Sequence, residues 1–371
     1  MTMAPERPPN QLEVLESPEE RRQAATARVI LATGIAGLVL ALGGPLVMVL
    51  FSGLVPYERV VEAFLSGPTL FLVWSGVILG GVAIVWGFAS YRRMPTKPSR
   101  EQAIAGAVLG IQAAVVGLFL LAFRTFGDPD RFVFHFFNLG FLEGALPVFV
   151  RGAANTVMLA LVGELGGIVL GLLLAILTLS NRAVVRAPAR VYINFFRGTP
   201  LIWQLSVFYF GFSIGLGIRL ELSVGPIDLS AAFGTAMVVF ILNTAAYAAE
   251  VFRAGIQSIE RGQLEAARSL GMSYPQAMRY AIVPQAVRRV IPPLMNEFVI
   301  LIKDTSLVVV LGLTAANYEL FTTARDGYAE TFNATFFTAA AAGYLVVTLP
   351  LIRAVNAVEK RLRSGLVTVT T

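Results

Sequence analysis

Long apolar runs that are almost free of charge recur along this chain of 371 residues. An α-helix needs roughly 20 residues to cross about 30 Å of hydrocarbon, so runs of that length predict membrane spans. Eight are predicted, at 28–52, 69–90, 103–123, 153–179, 191–215, 231–252, 291–313 and 335–357. Charged residues make up 14% of the chain, whereas a soluble domain carries about 25%. The chain is therefore expected to be an all-α, polytopic membrane protein.

The distribution of arginine predicts the orientation of these spans. Cytoplasmic loops near helix ends collect Lys and Arg. With the N-terminus inside, the basic residues of 91–102, 180–190 and 253–289, and those after the last span, all fall on the cytoplasmic side. Both termini are thus expected in the cytoplasm. The net charge of +6 needs no nucleic acid partner to explain it.

The segments outside the spans are expected to be simple. Residues 1–26 mix Pro, Glu and Arg without apolar periodicity, which predicts a disordered tail, and 361–371 form a second tail. Residues 126–150 are expected on the outer surface, with an amphipathic helix over 131–150. Its aromatic residues would lie among the lipid headgroups: Phe132, Phe134, Phe136 and Phe137.

Motifs for chemistry are lacking. The chain has no Cys, only one His, His135, and no glycine-rich phosphate loop, so it is not expected to hydrolyse ATP itself. His135 is expected to be an interfacial residue rather than a ligand. The glycine runs 163–171 and 211–217 lie in apolar segments and predict close helix packing.

A polar, arginine-rich segment at 265–289 separates two apolar runs. Helical spacing predicts a short helix over 263–270 that Gly271 ends in left-handed geometry. Ser273 would cap a second helix with Pro275 in its first turn, and Pro284 would stop it. This helix–turn–helix suits a docking surface for a protein in the aqueous phase. The alternative is a solvated loop without a partner.

The first helix of the polar segment carries the groups that a partner would meet. Ala266 and Ala267 leave room for another surface to approach, and Glu265 offers a carboxylate near the helix N-terminus.

Three charged residues lie in the predicted seventh span, which is expected to begin after Pro292 and Pro293: Glu297, Lys303 and Asp304. A charge at a helix centre costs about 2.5–3.5 kcal/mol on insertion scales, so these groups should be paired or hydrated. Glu297 and Asp304 are seven residues apart on one helical stripe, roughly 10 Å. The two carboxylates could hold the cationic group of an amino acid. Alternatively, Asp304 pairs with Lys303 or a neighbouring helix and only fixes the packing.

Other polar residues of the spans either line a path or bond across helices: Asn155, Thr156, Asn243 and Thr244. Arg197 is expected to anchor its helix at the interface. Glu250 and Arg253 are expected to form a structural ion pair rather than a gate.

The polar segment resembles the cytoplasmic loop of importer-type ABC permeases, whose pattern is E-A-A, three residues, G, nine residues, I-x-L-P. Glu265, Ala266, Ala267, Gly271 and Pro284 match it, while Ala281 and Val283 replace the Ile and Leu. Three more signatures resemble the polar amino acid uptake family: Phe-Arg-Gly-Thr-Pro at 196–200, Ala-Tyr-Ala-Ala-Glu at 246–250 and Lys-Asp-Thr-Ser-Leu at 303–307. The resemblance covers roughly 148–360.

The resemblance implies a five-helix permease core over 151–360 with a coupling loop at 253–289. It also implies a second permease subunit, a solute-binding protein, and a cytoplasmic ABC ATPase dimer that binds ATP and Mg²⁺, so that this chain needs no cofactor and has no catalytic residues. The location would be the inner membrane of a prokaryote. The three helices of 27–125 resemble the N-terminal extensions of longer members.

The function expected from the sequence is that of a permease subunit moving polar or charged amino acids inward by ATP-driven alternating access. Its candidate path residues are Glu297, Asp304, Lys303, Asn243 and Thr156. One alternative is an ion-coupled secondary amino acid transporter, in which Glu297 and Asp304 would couple protons or sodium. A second alternative is a structural or regulatory membrane scaffold.

Overall fold

The structure, a computed structural model, describes residues 18–47, 59, 62–63, 66–94, 96–224 and 227–363. The regular elements of these residues are helices, apart from one hairpin of two short strands. The all-α fold class predicted from the apolar runs is confirmed. The chain divides into two compact units, Met1–Gly140 and Phe141–Thr371.

The first unit contains three long helices that pack through glycine. Its helices are α1 (Pro18–Leu38, continued by a π turn at Val39–Gly43), α2 (Gly67–Tyr91), α3 (Lys97–Phe126) and α4 (Pro129–Phe137). A Cβ on Gly80 would lie 2.7 Å from the Gly110 carbonyl oxygen, and one on Gly76 would lie 2.7 Å from that of Gly37. Any larger side chain would separate these backbones, so the small residues set the spacing.

The second unit contains the remaining elements. Their bounds are α5 (Leu146–Thr178), α6 (Ala183–Gly198), α7 (Leu201–Ser206, then a π turn at Val207–Gly215), β1 (Leu222–Val224), β2 (Ile227–Leu229), α8 (Ala231–Gln257), α9 (Arg261–Ser269), α10 (Tyr274–Ala277, then a π turn at Met278–Ile282), α11 (Val283–Asp304), 3-10 turns at Thr305–Leu311 and Ala315–Asn317, α12 (Leu320–Thr331) and α13 (Thr335–Arg363). The strands form an antiparallel hairpin that pairs Leu222 with Leu229.

The core of the second unit forms where α5 packs against α8. A Cβ on Gly167 would lie 2.5 Å from Cβ of Thr244, and one on Gly171 would lie 2.7 Å from Cβ of Ala248. The close packing predicted for 163–171 is therefore present. The run 211–217 differs, because Gly217 has φ +70° and a Cβ there would meet nothing within 4 Å. That glycine serves a turn, where left-handed backbone favours a residue without a side chain.

Six helices of the described chain are long and apolar enough to cross a membrane: Pro18–Val47, Gly67–Tyr91, Lys97–Phe126, Leu146–Thr178, Ala231–Gln257 and Thr335–Leu362. The predicted span at 191–215 is instead divided between α6 and α7. Pro200 has no N–H to donate and holds Thr199 in extended geometry, with ψ 143°. The total of eight spans stays a prediction.

The predicted span at 291–313 also differs from the structure. The first part of this span belongs to α11, which begins earlier, at Val283, and runs through Pro292 and Pro293 to Asp304. From Thr305 the chain continues as a tighter 3-10 turn.

Two segments expected outside the spans differ from the prediction. Residues 18–26, placed in the disordered tail, are the first turns of α1; 1–17 and 364–371 lie outside the described residues. The helix predicted over 131–150 is not continuous. Its first part belongs to α4, and 146–150 open α5 after a left-handed turn at Gly144, φ +75°.

The ring of Phe132 in α4, predicted to lie among the lipid headgroups, packs against other aromatic rings. It meets Phe123 of α3 edge-on at 5.1 Å and stacks on Phe136 at 4.9 Å.

Candidate functional site

A cavity of about 460 Å³ lies inside the second unit, between the break that separates α6 from α7 and the helices α8 and α11. The break contributes Arg197, Gly198, Thr199, Pro200 and Leu201 to its wall. The other two walls hold Asn243, Thr244 and Tyr247 of α8, and Glu297, Ile300, Leu301 and Asp304 of α11. The structure therefore brings together three of the predicted path residues, Asn243, Glu297 and Asp304.

The α11 wall is acidic. Glu297 and Asp304 are both partly buried and lie on one stripe of a single helix, about 10 Å apart along its axis. They repel each other electrostatically, while Arg197 across the cavity attracts Glu297. The cavity thus offers negative groups along one wall and a positive group on another, a pattern that complements a molecule with charges of both signs.

The break between α6 and α7 is fixed by Gln204, whose side chain is fully buried. Its Nε2 donates to the Phe196 carbonyl at 2.8 Å, to the Thr199 carbonyl at 3.1 Å and to Thr199 Oγ1 at 2.9 Å. Its Oε1 accepts a hydrogen bond from Asn243 Nδ2 at 3.0 Å. Gln204 therefore ties the broken backbone to α8. Sequence reasoning missed it, although an amide within an apolar run is a visible signal.

Arg197 lies between the cavity and a charged cluster on α8. Its Nη1 is 3.8 Å from Glu250 Oε2, and its guanidinium carbon lies 5.5 Å from the centre of the Tyr247 ring. The predicted ion pair is present, since Arg253 donates to both carboxylate oxygens of Glu250 at 2.5 and 3.3 Å. Arg197 was predicted only as an interfacial anchor, and its place in the cavity wall was not foreseen.

Two of the predicted path residues lie outside the cavity wall. Thr156 is fully buried, and its Oγ1 accepts a hydrogen bond from the Leu320 amide at 3.1 Å, at the start of α12. Its neighbour Asn155 donates to the carbonyls of Ala316 and Tyr318 at 3.0 and 2.8 Å. Both side chains hold the segment before α12. Lys303 is exposed.

A further acidic residue was not singled out from the sequence. Glu164 of α5 is only 5% exposed, and neither of its carboxyl oxygens has a hydrogen-bond partner among the described residues. The cost argument applied to α11 would have found it, because a charged residue within an apolar run is equally unfavourable on any span. In the described part of the chain, no three His, Asp or Glu side chains converge to hold a metal ion.

The first half of the polar segment is an exposed helix, α9, that packs against a small cluster of buried apolar residues. Glu265 and Ala266 of α9 are exposed, whereas Ala267 is 6% exposed and faces inward. Leu264 packs against a cluster of buried residues formed by Ile259, Ile282 and Ala286. As predicted, Gly271 ends the helix with φ +85°.

The second half of the polar segment runs without interruption into α11. Ser273 and Gln276 form a capping box, with contacts of 2.8 and 3.4 Å. The helix does not stop at Pro284 as predicted. A π turn at Met278–Ile282 precedes this proline, which stands in the first turn of α11.

Residues 167–364 match the family of binding-protein-dependent transport system inner membrane components. The chain belongs to this family. The cavity and the polar segment both lie within the matched residues, whereas the first unit lies before them.

Several relatives of this inner membrane component have assigned transport roles. It is 34% identical over 220 residues to the glutamine transport system permease protein GlnP of Escherichia coli (strain K12), covering 59% of this chain and 94% of that one. It is 37% identical over 218 residues to the arginine transport system permease protein ArgU of Corynebacterium glutamicum, covering 57% and 67%. The crystal structure of an amino acid ABC transporter with histidines matches with a TM-score of 0.52 and 32% identity, covering 59% and 96%.

Proposed function

We propose that this inner membrane component is the permease subunit of an ABC importer that carries polar or charged amino acids into the cell. The observation that carries the proposal is the cavity, where acidic groups of α11 and the guanidinium of Arg197 face one space. An amino acid brings both an ammonium and a carboxylate into the membrane, and buried charges need partners of opposite sign. The relatives named for glutamine and arginine transport support the same substrate class.

Four polar residues of the cavity wall then have a role in holding substrate. Glu297 and Asp304 receive cationic groups, Arg197 receives the α-carboxylate, and the amide of Asn243 orients polar atoms beside Gln204. The proposed path leaves out Thr156, whose hydroxyl is engaged by Leu320, and Lys303, which lies outside the cavity wall.

The polar segment is proposed to dock on a cytoplasmic ABC ATPase dimer, which binds ATP and Mg²⁺. Besides Glu265 and Ala266, this segment exposes large apolar side chains to solvent: Leu270 is 80% exposed and Tyr274 is 56% exposed. Exposed apolar groups in a polar setting are typical of protein contacts. Gly271 shapes this surface by ending α9, and Pro284 stands in the first turn of α11, where the surface joins that helix.

The assembly would place both termini in the cytoplasm of a prokaryotic cell. A solute-binding protein would deliver substrate from outside, and a second permease subunit, identical or different, would complete the path. The proposed layout keeps 27–125 as three additional N-terminal helices, with the permease core at 151–360.

The test is amino-acid-stimulated ATPase activity of the complex, purified with its ATPase and solute-binding protein and placed in vesicles. Glu297→Gln is expected to abolish most of the response to cationic amino acids, because it removes a negative charge from the cavity. Glu330→Gln, an exposed acid on α12, is the matched control and should respond normally.

Three outcomes would contradict the proposal. A full response of Glu297→Gln to cationic amino acids would remove that residue from the path. Uptake that persists without ATP and collapses with an uncoupler would instead indicate a secondary transporter. Absence of any flux with both partners present would indicate a scaffold.

A further inference from the structure

Glu164 is an acid with no visible structural task. Its side chain is 5% exposed, it lies in the apolar helix α5, and both carboxyl oxygens lack hydrogen-bond partners among the described residues. A polar group that is buried without a partner is unfavourable, and a carboxyl group in a membrane helix is more so. A neutral or apolar side chain would serve better if packing were its only role.

The neighbours of Glu164 place it directly behind the cavity. A Cβ on Gly163, the preceding residue, would lie 3.1 Å from Cδ2 of Leu301. One turn later, a Cβ on Gly167 would meet the side chain of Thr244. Leu301 and Thr244 both line the cavity, so this part of α5 packs against the outer side of the cavity wall.

Glu164 lies beside the part of α11 that carries Glu297. Ile168, one turn further along α5, packs against the cluster of Ala248 on α8 with Val290 and Leu294 on α11, and Gly163 packs beside Leu301. The stretch of α11 between these two contacts carries Glu297, and Glu164 and Glu297 repel each other electrostatically. With Asp304, three acids therefore lie on or behind the α11 wall of the cavity, and a bound cation would relieve their repulsion.

We propose that Glu164 is the third acidic residue of the transport path and determines its preference for cationic amino acids. When Leu301 and Thr244 move aside during transport, Glu164 receives the ammonium or guanidinium group at the end of a long side chain. This inference rests on the proposed function and adds a selectivity to it. Glu297 and Asp304 serve every amino acid, whereas Glu164 serves those with a second positive charge.

The test measures binding of radiolabelled arginine and glutamine to the purified permease–ATPase complex without the solute-binding protein, so that only the membrane path contributes. Glu164→Gln is expected to weaken arginine binding about tenfold, the size of one lost charge-assisted hydrogen bond. Glutamine binding should stay unchanged. The control is Glu330→Gln, which neutralises an exposed acid elsewhere in the same unit.

A structural role would give a different result. Glu164→Leu would then raise the thermal stability of the complex and leave the preference for arginine intact, because an unpaired buried acid would have been replaced by an apolar group. Equal losses for both ligands, or no loss for either, would also overturn the inference. If the unaltered complex bound neither amino acid, the proposed function itself would fail.

A measurement on the unaltered complex guards against variants that fail to assemble. Arginine and citrulline have almost the same shape, but citrulline lacks the terminal charge. The inference requires a preference for arginine of about tenfold or more. Equal affinities would overturn it.

Discussion

Replacing Gln204 by Leu tests whether one buried amide fixes the wall of the cavity. The side chain bridges the end of α6, the break at Thr199 and Pro200, and Asn243 on α8. Leu has a similar volume and cannot hydrogen bond. The substitution therefore removes these bonds with little change in packing.

The magnitude follows from the groups that lose their partner. The carbonyls of Phe196 and Thr199 and the amide of Asn243 each lose a bond, although Asn243 keeps a long contact of 3.5 Å to Phe196. An unpaired buried group costs about 1–3 kcal/mol, but hydrogen bonds between membrane helices average only about 0.6 kcal/mol. For the three groups together, we expect Gln204→Leu to lower the free energy of unfolding by about 2–3 kcal/mol. In a unit of this size, that lowers the melting temperature by roughly 4–12 °C.

The assay is thermal unfolding of the protein purified in detergent, followed by fluorescence. Ser206→Ala is the matched control, because Ser206 lies on the same helix and its hydroxyl bonds only to the local Ile202 carbonyl at 2.8 Å. The double variant Gln204→Leu with Asn243→Leu should cost less than the sum of the single variants, since the two side chains bond to each other. If Gln204→Leu unfolded at the same temperature as Ser206→Ala, the reasoning would be refuted.

Two further predictions concern glycines. Gly167→Ala should destabilise the protein by about 1–3 kcal/mol, because its methyl group would collide with Thr244. Gly81→Ala, where a Cβ meets nothing within 4 Å, is the control and should leave the melting temperature unchanged. Equal melting temperatures of the two variants would exclude tight packing at Gly167. Gly271→Ala should speed tryptic cleavage in the polar segment, because φ +85° costs an L-residue about 1–2 kcal/mol. Gly262→Ala, in a helix with open space around it, should not speed that cleavage, and unchanged cleavage of the Gly271 variant would argue against strain.

The long helices were predictable because hydropathy summed over about twenty residues tolerates errors at single positions. Proline was harder to interpret. The run at 191–215 contains Pro200 and was taken as one span, yet the helix breaks there, since Gln204 supplies partners for the freed carbonyls. Pro284 was expected to stop a helix that continues, because a π turn and the packing of Ile282 and Ala286 compensate. In both cases side-chain contacts that the proline itself does not reveal decided the outcome.

The candidate site was predictable where charge is concentrated and not where a single group stands alone. Glu297 and Asp304 were found because three charges in one span are conspicuous. Glu164 lowers the mean hydropathy of its span too little to be noticed. Thr156 and Asn243 look alike in the sequence, because each is a polar residue in an apolar run. Only their contacts in the structure show that Thr156 bonds to the start of α12 whereas Asn243 lines the cavity.

The two charged walls of the cavity are attached to different parts of the molecule. Glu297 lies 14 residues after Val283 in α11, about 20 Å along a helix that continues from the polar segment. Arg197 instead belongs to the break that Gln204 holds on α8. A partner that pulls on the polar segment would therefore move the acidic wall relative to the basic one. In the proposed site a bound amino acid contacts both walls, so such a displacement would weaken its binding and would couple docking at one end of α11 to release at the other.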